Sequence, residues 1–183
     1  MGRPARHDAD SLLDAAVRLV GTGGPKALTV AAVAREAGGP SGSVYHRFSG
    51  HPALAAALWL RTVERFQAGF FAALAEGRPA RAARHVVAWC REHPGQAAVL
   101  LYRADDFDRE HWSDEERAAL DAMNGRAVAA MRALGGDFDK VVLALTDLPA
   151  ALVRRHLRAG HEIPARAEDL AEETAVLILE TCL

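Results

Sequence analysis

Apolar residues recur along this chain at helical spacing, and no stretch shows the sustained alternation of a strand. Between Asp8 and Val20, Leu12, Leu13, Ala16, Val17 and Val20 share one face. Asp8, Asp10 or Ser11 is available as N-cap, and Gly21, Gly23, Gly24 and Pro25 end the pattern, which predicts a first helix. Thr29 then caps a short second helix, "TVAAVAREAG", whose stripe is Val30, Val33, Ala34 and Ala37 and whose Gly38 supplies a left-handed stop. In the next stretch, "GGPSGSVYHRF", Pro40 is compatible only with the first turn of a helix, so the spacing predicts an immediate restart, capped by Gly39 or Ser41. A long helix follows from Pro52 to about Ala75, with Trp59, Val63, Phe66 and Phe70 on one face. Further helices are expected over about 80–92 and 96–104. After the polar connection "DDFDREHW", Ser113 and Glu116 form a capping box for a helix closed by Gly135 and Gly136. Two more are expected over about 138–159 and 165–183. The fold class is all-α with about nine helices.

The bulk numbers narrow this picture only a little. With 183 residues, half hydrophobic and a quarter charged, the chain has the material for a sizeable core. Its longest wholly apolar run, Ala53 to Leu60, is far short of the roughly 18 residues of a membrane span. No apolar signal region opens the N-terminus, so a cytoplasmic location with no membrane partner is expected. Cys90 and Cys182 are too few and too far apart for a disulfide framework or thiolate zinc site, and buried reduced thiols are expected. The net charge of −2 hides an asymmetry. In the first 50 residues Arg3, Arg6, Arg18, Lys26, Arg35 and Arg47 outnumber Asp8, Asp10, Asp14 and Glu36, so that part suits a polyanion better than the acidic remainder.

Two short helices meeting at a glycine turn between Thr29 and Phe48 have the size and chemistry of a helix-turn-helix. Small and polar residues, Ser41, Gly42 and Ser43, lead the second helix, where its N-terminal end would approach base edges and phosphates. Val44 is suited to a thymine methyl, Tyr45 and His46 to phosphate oxygens, and Phe48 to the core. The whole stretch "TVAAVAREAGGPSGSVYHRFSGHPALAAALW", Thr29 to Trp59, resembles the signature of TetR-type transcriptional regulators: Thr, spaced apolar residues, AG, a small-residue turn, G-[ST]-aliphatic-Y-x-x-F, and a break before a long helix. With the first helix the resemblance covers roughly residues 1–60. It implies a homodimer that binds a palindromic operator through an N-terminal domain (1–50), usually as a repressor. A small molecule entering a helical ligand-binding and dimerisation domain (51–183) would release the DNA. The DNA contacts it implies are Thr29, Ser41, Ser43, Val44, Tyr45, His46 and His51. This chain departs from the family pattern at Gly39 and Pro40, and at His51, which stands where a phosphate-gripping lysine is usual. Arg3 and Arg6 read either as a solvated tail or as an arm in the minor groove.

Beyond residue 75 no motif is legible. Trp59, Phe66, Phe70, Trp89, Tyr102, Phe107, Trp112, Met123 and Met131 would suit a mostly apolar effector cavity, with Thr62, Gln67, Asn124 and Thr146 as orienting polar groups. Ordinary core packing is the alternative for each. Pro149 removes a backbone donor and frees the Leu145 carbonyl, giving a kink or a harmless bend. The segment "AVLIL" near the C-terminus is apolar almost all round, which suits a homodimer contact through the last two helices.

An enzyme is the rival class. Asp105, Asp106, Asp108, Glu110 and His111 crowd one segment, and His85, Cys90 and His93 another, yet neither has a recognised ligand spacing. No catalytic residue, metal or cofactor is expected. A helical dimer governed by a protein partner instead of a small molecule is the other reading.

Overall fold

The computed structural model describes residues 9–181. Among them are nine helices and no strand, as the periodicity predicts. These are α1 (Ala9–Gly23), α2 (Val30–Glu36), α3 (Ser41–Tyr45), α4 (His51–Ala75), α5 (Pro79–Glu92), α6 (Pro94–Leu100), α7 (Asp114–Arg132), α8 (138–158) and α9 (Arg166–Leu179). The chain forms two compact units. One holds the described residues up to Thr62 together with Ala98–Leu120; the other holds Val63–Ala97 and the residues from Asp121 onward.

In the first unit α1 packs on α2, and α2 on α3. Their facing stripes bury Leu12, Ala16, Val20, Val33 and Val44 with Leu54 and Leu58 of α4. Each fully buried leucine or valine side chain here stabilises the unit by about 1.5–3 kcal/mol. Arg61 of α4 fixes the helix angle at the surface, pairing with Asp10 at 2.9 Å and Asp14 at 2.8 Å on α1. Thr29 caps α2 as expected, its hydroxyl accepting from Ala32 N at 3.1 Å. Gly38 has φ 74°, the left-handed stop, and Gly39 N–H closes back on Ala34 O at 2.9 Å.

The cap of α3 differs from expectation. Pro40 itself is the N-cap, extended at φ −74° and ψ 154°, and its carbonyl accepts from Ser43 N at 3.0 Å and Ser43 Oγ at 2.7 Å. A proline tolerates this position because the N-cap residue needs only its carbonyl for the helix. The same unit includes two 3₁₀ turns, Ala104–Phe107 and Arg109–His111. They hang on Phe107, which is buried against Trp59 with ring centroids 5.3 Å apart and accepts on its carbonyl from Trp112 Nε1 at 2.8 Å. The Ser113–Glu116 capping box forms, with Glu116 N to Ser113 Oγ at 3.2 Å and Ser113 N to Glu116 Oε2 at 2.8 Å.

In the second unit α9 packs chiefly along α5. Glu168 of α9 is buried between two arginines of α5, accepting from Arg84 at 2.9 Å and Arg91 at 2.6 Å, and Arg84 also binds Asp169. The spacing of Arg84 and Arg91, two helical turns, puts both guanidinium groups on the face that meets α9. Within α8, Leu143–Asp147 is wound as a π-helix directly before Pro149. Leu148 N–H bonds Leu143 O, so the proline's missing donor is absorbed by widening one turn.

Candidate nucleic-acid interface

The helix-turn-helix presents two faces of different chemistry. Because α3 starts at Ser41, residues 44 and 48 point inward while 41, 42, 45 and 46 point out. Ser41, Gly42, Tyr45, His46 and Arg47 are exposed, Tyr45 at 60%, and Thr29 is exposed at the start of α2. Together they offer hydroxyl, phenol, imidazole and guanidinium donors on one short segment, the groups that bind phosphate oxygens. Ser43 is half-buried and its hydroxyl is already given to Pro40 O, leaving an oxygen to accept.

Val44 corrects the sequence reading. It is fully buried, 0% exposed, and packs in the core of the first unit, so it has no surface for a thymine methyl. Phe48 is buried as expected. Arg3 and Arg6 lie outside the described residues. His51 opens α4, half-buried, with Nδ1 3.5 Å from Asp108 Oδ2. Asp108 belongs to the segment expected as a polar connection. Its contact with His51 spans 57 positions and leaves no local signal.

The residues expected around an effector divide between the two units. Trp59, Tyr102 and Phe107 form one aromatic cluster, with Tyr102 edge-on to Phe107 at 6.3 Å. Thr62 is fully buried on the same unit, its hydroxyl donating back to Leu58 O at 2.7 Å. In the second unit Phe66 meets Trp89 edge-on at 5.4 Å and His85 at 5.7 Å, and Trp89 stacks on His93 at 5.0 Å. Phe70 and Met131 are buried there, Met123 is half-buried, and Thr146 returns its hydroxyl to Val142 O. On α4, Trp59 Nε1 and Gln67 Oε1 are among the polar atoms buried with no hydrogen-bond partner among the described residues. Gln67 is held from its other end, Nε2 donating to Met123 O at 3.4 Å.

His85 packs against Phe66, a role with no mark in the local sequence. Its Nε2 lies 2.8 Å from Phe66 O, and burial pushes its pKa below the ordinary 6.5. Cys90 is buried as expected, and burial pushes its thiol up to about 12; Cys182 lies outside the described residues. Among the described residues no group of three or more His, Cys, Asp or Glu could hold a metal ion. No described helix is long and apolar enough to cross a membrane. On α8 and α9, Leu143, Leu170, Val176 and Leu177 are exposed, Leu177 at 66%. A shallow apolar groove between these helices is lined by Leu148, Ala151, Leu152, Leu170 and Thr174.

Residues 12–58 match the family model of bacterial regulatory proteins, tetR family. No curated protein matches the sequence. Among solved structures, a transcriptional regulator from Rhodococcus sp. Rha1 is similar at 18% identity, over 96% of this chain and 97% of that one, with a TM-score of 0.71. The fatty acid degradation regulator FadR from Bacillus halodurans is similar at 14% identity, over 98% and 97%, with a TM-score of 0.69. FadR from Bacillus subtilis, solved in complex with stearoyl-CoA, is similar at 14% identity, over 93% and 97%, with a TM-score of 0.69. Residues 12–58 thus resemble the tetR-family model, and along nearly its whole length the chain shares the fold of these solved regulators.

Proposed function

We propose that the chain is a cytoplasmic transcriptional repressor that binds a palindromic operator as a homodimer and is released by a small, mostly apolar effector. The observation that carries the DNA-binding part is the exposed face of Thr29, Ser41, Tyr45 and His46, on a helix-turn-helix inside the segment that matches the family model. In this reading Ser41 and Ser43 approach bases, and Thr29, Tyr45, His46 and His51 hold phosphates. Arg3 and Arg6 add a minor-groove arm. If they do, Arg3→Ala with Arg6→Ala lowers the salt slope of binding by about 2.

Dimerisation through α8 and α9 is supported by their exposed Leu143, Leu170, Val176 and Leu177, which a second copy would cover. Two copies would set their recognition helices about one DNA turn, roughly 34 Å, apart. The effector reading is supported by the second unit's aromatic cluster of Phe66, Trp89 and His93 and by its unpartnered Gln67 carbonyl, an atom that a bound ligand would satisfy. A neighbour of the same fold was solved with stearoyl-CoA. Residues 1–50 would read DNA and 51–183 would sense and dimerise, with α4 running from one task to the other. An effector that disfavours the DNA-competent state by about 2.7 kcal/mol would weaken binding about 100-fold.

The test is selection of duplexes from a randomised library by the purified chain, followed by gel shift. A two-fold symmetric sequence is expected. Failure to enrich any sequence at low salt would count against the reading.

A further inference from the structure

We propose that Asp108 is a positioning residue for DNA binding: with His51 it forms a carboxylate–imidazole pair that clamps a backbone phosphate. The inference rests on the DNA-binding reading above. His51 stands at the N-terminus of α4, and its Nδ1 faces Asp108 Oδ2 at 3.5 Å. That contact uses one ring nitrogen and leaves Nε2 for a phosphate oxygen. To donate to the carboxylate and to a phosphate at once, the ring needs a hydrogen on each nitrogen, which makes the bound form a cation. An oriented, charged imidazole does the work of a longer basic side chain while losing less side-chain freedom.

Asp108 is held firmly enough for this role. Phe107 before it is 1% exposed and anchored on Trp59 and Trp112 Nε1. Asp108 N–H bonds Asp105 O at 3.2 Å, and its carbonyl accepts from His111 N at 2.8 Å. The other charged groups of the turn and its approaches are Asp105, Asp106, Arg109, Glu110, His111 and, before α4, Arg47. Asp106 accepts from Arg103 N at 2.7 Å and Glu110 lies 3.7 Å from His111. Asp108 has φ 55° and ψ 41°, a left-handed conformation that asparagine also adopts, so Asp108→Asn removes the charge and keeps the turn.

The experiment measures binding of the full chain to its selected duplex by fluorescence anisotropy between about pH 6 and about pH 8, where histidine titrates. The proteins are wild type, Asp108→Asn, His51→Lys and the double variant. Wild-type binding is expected to tighten as pH falls. Asp108→Asn is expected to weaken it about two- to tenfold near pH 6, the range set by orienting one side chain, and to reduce the pH dependence to what His46 contributes. Lysine carries its own charge and needs no carboxylate, so in the His51→Lys background Asp108→Asn is expected to cause no loss. Equal losses in both backgrounds would make Asp108 a turn residue only, and unchanged or tighter binding by Asp108→Asn would make it a repulsive bystander; either overturns the proposal. A wild-type chain that selects no duplex refutes the DNA-binding reading itself, and this proposal with it. A wild-type chain that binds normally while the variants miss this pattern refutes the proposal alone.

Discussion

Replacing Gly69 by alanine isolates one contact that sets the packing of α4 on α5. An ideal Cβ at Gly69 would lie 2.2 Å from His85 Cε1, 2.6 Å from Nδ1 and 2.9 Å from Nε2. No side chain shares that space, so the imidazole must leave, and with it the 2.8 Å contact to Phe66 O. Overpacking of this kind costs about 1–3 kcal/mol. The lost hydrogen bond costs about 1 kcal/mol more. Alanine inside a helix returns about 1 kcal/mol relative to glycine. The net expectation is destabilisation by about 1–3 kcal/mol, read from urea unfolding followed by circular dichroism. In a His85→Ala background the obstacle is gone and only the helix preference remains, so Gly69→Ala is expected to stabilise by about 0.5–1 kcal/mol. The sign must therefore reverse between the two backgrounds. Stabilisation in both would show that the ring yields freely, and destabilisation in both would place the clash elsewhere.

Three further outcomes follow from the same structure. His85 is buried with its pKa below 6.5, so the unfolded chain takes a proton first; its contribution to stability is present above 6.5 and lost as pH falls through the lower folded value. A His85→Phe variant is expected to lose that part of the pH dependence in urea titrations. Val44→Ala removes two methyl groups from a site with no exposure and is expected to cost about 2 kcal/mol, and fluorinated or deuterium-exchange probes of α1 to α3 should register it. Leu170→Glu with Leu177→Glu places charge on exposed positions of α9; sedimentation is expected to shift from dimer to monomer with little change in far-ultraviolet circular dichroism.

The parts of this molecule written in local signals were legible without coordinates. Thr29, Gly38 and the Ser113–Glu116 box act within four residues of themselves, and all three perform the capping that their spacing predicts. Pro40 stands one position from its expected place because a proline is compatible with both the N-cap and the first turn, and the choice depends on how the preceding glycines close α2. Val44 shows the limit of composition. A lone valine in a polar helix reads equally as a methyl contact or a core residue, and only the packing of α2 against α3 decides. Long-range pairs were invisible. Glu168 between Arg84 and Arg91, and Asp108 beside His51, are joined by the fold alone, so an acidic residue in a charged stretch carried no mark of its burial or its partner. The aromatic residues stand out in the sequence as a set, yet their division between two units required the contacts themselves.

The central claim is that the outward face of α3 reads DNA while its inward face only holds the fold. It is tested most directly by titrating a selected duplex with wild type and with Tyr45→Ala plus His46→Ala, beside urea unfolding of both proteins. Both side chains are exposed, so unfolding is expected to be unchanged while operator affinity falls by about tenfold or more. Unchanged affinity in the double variant, with both proteins folded, would contradict the claim.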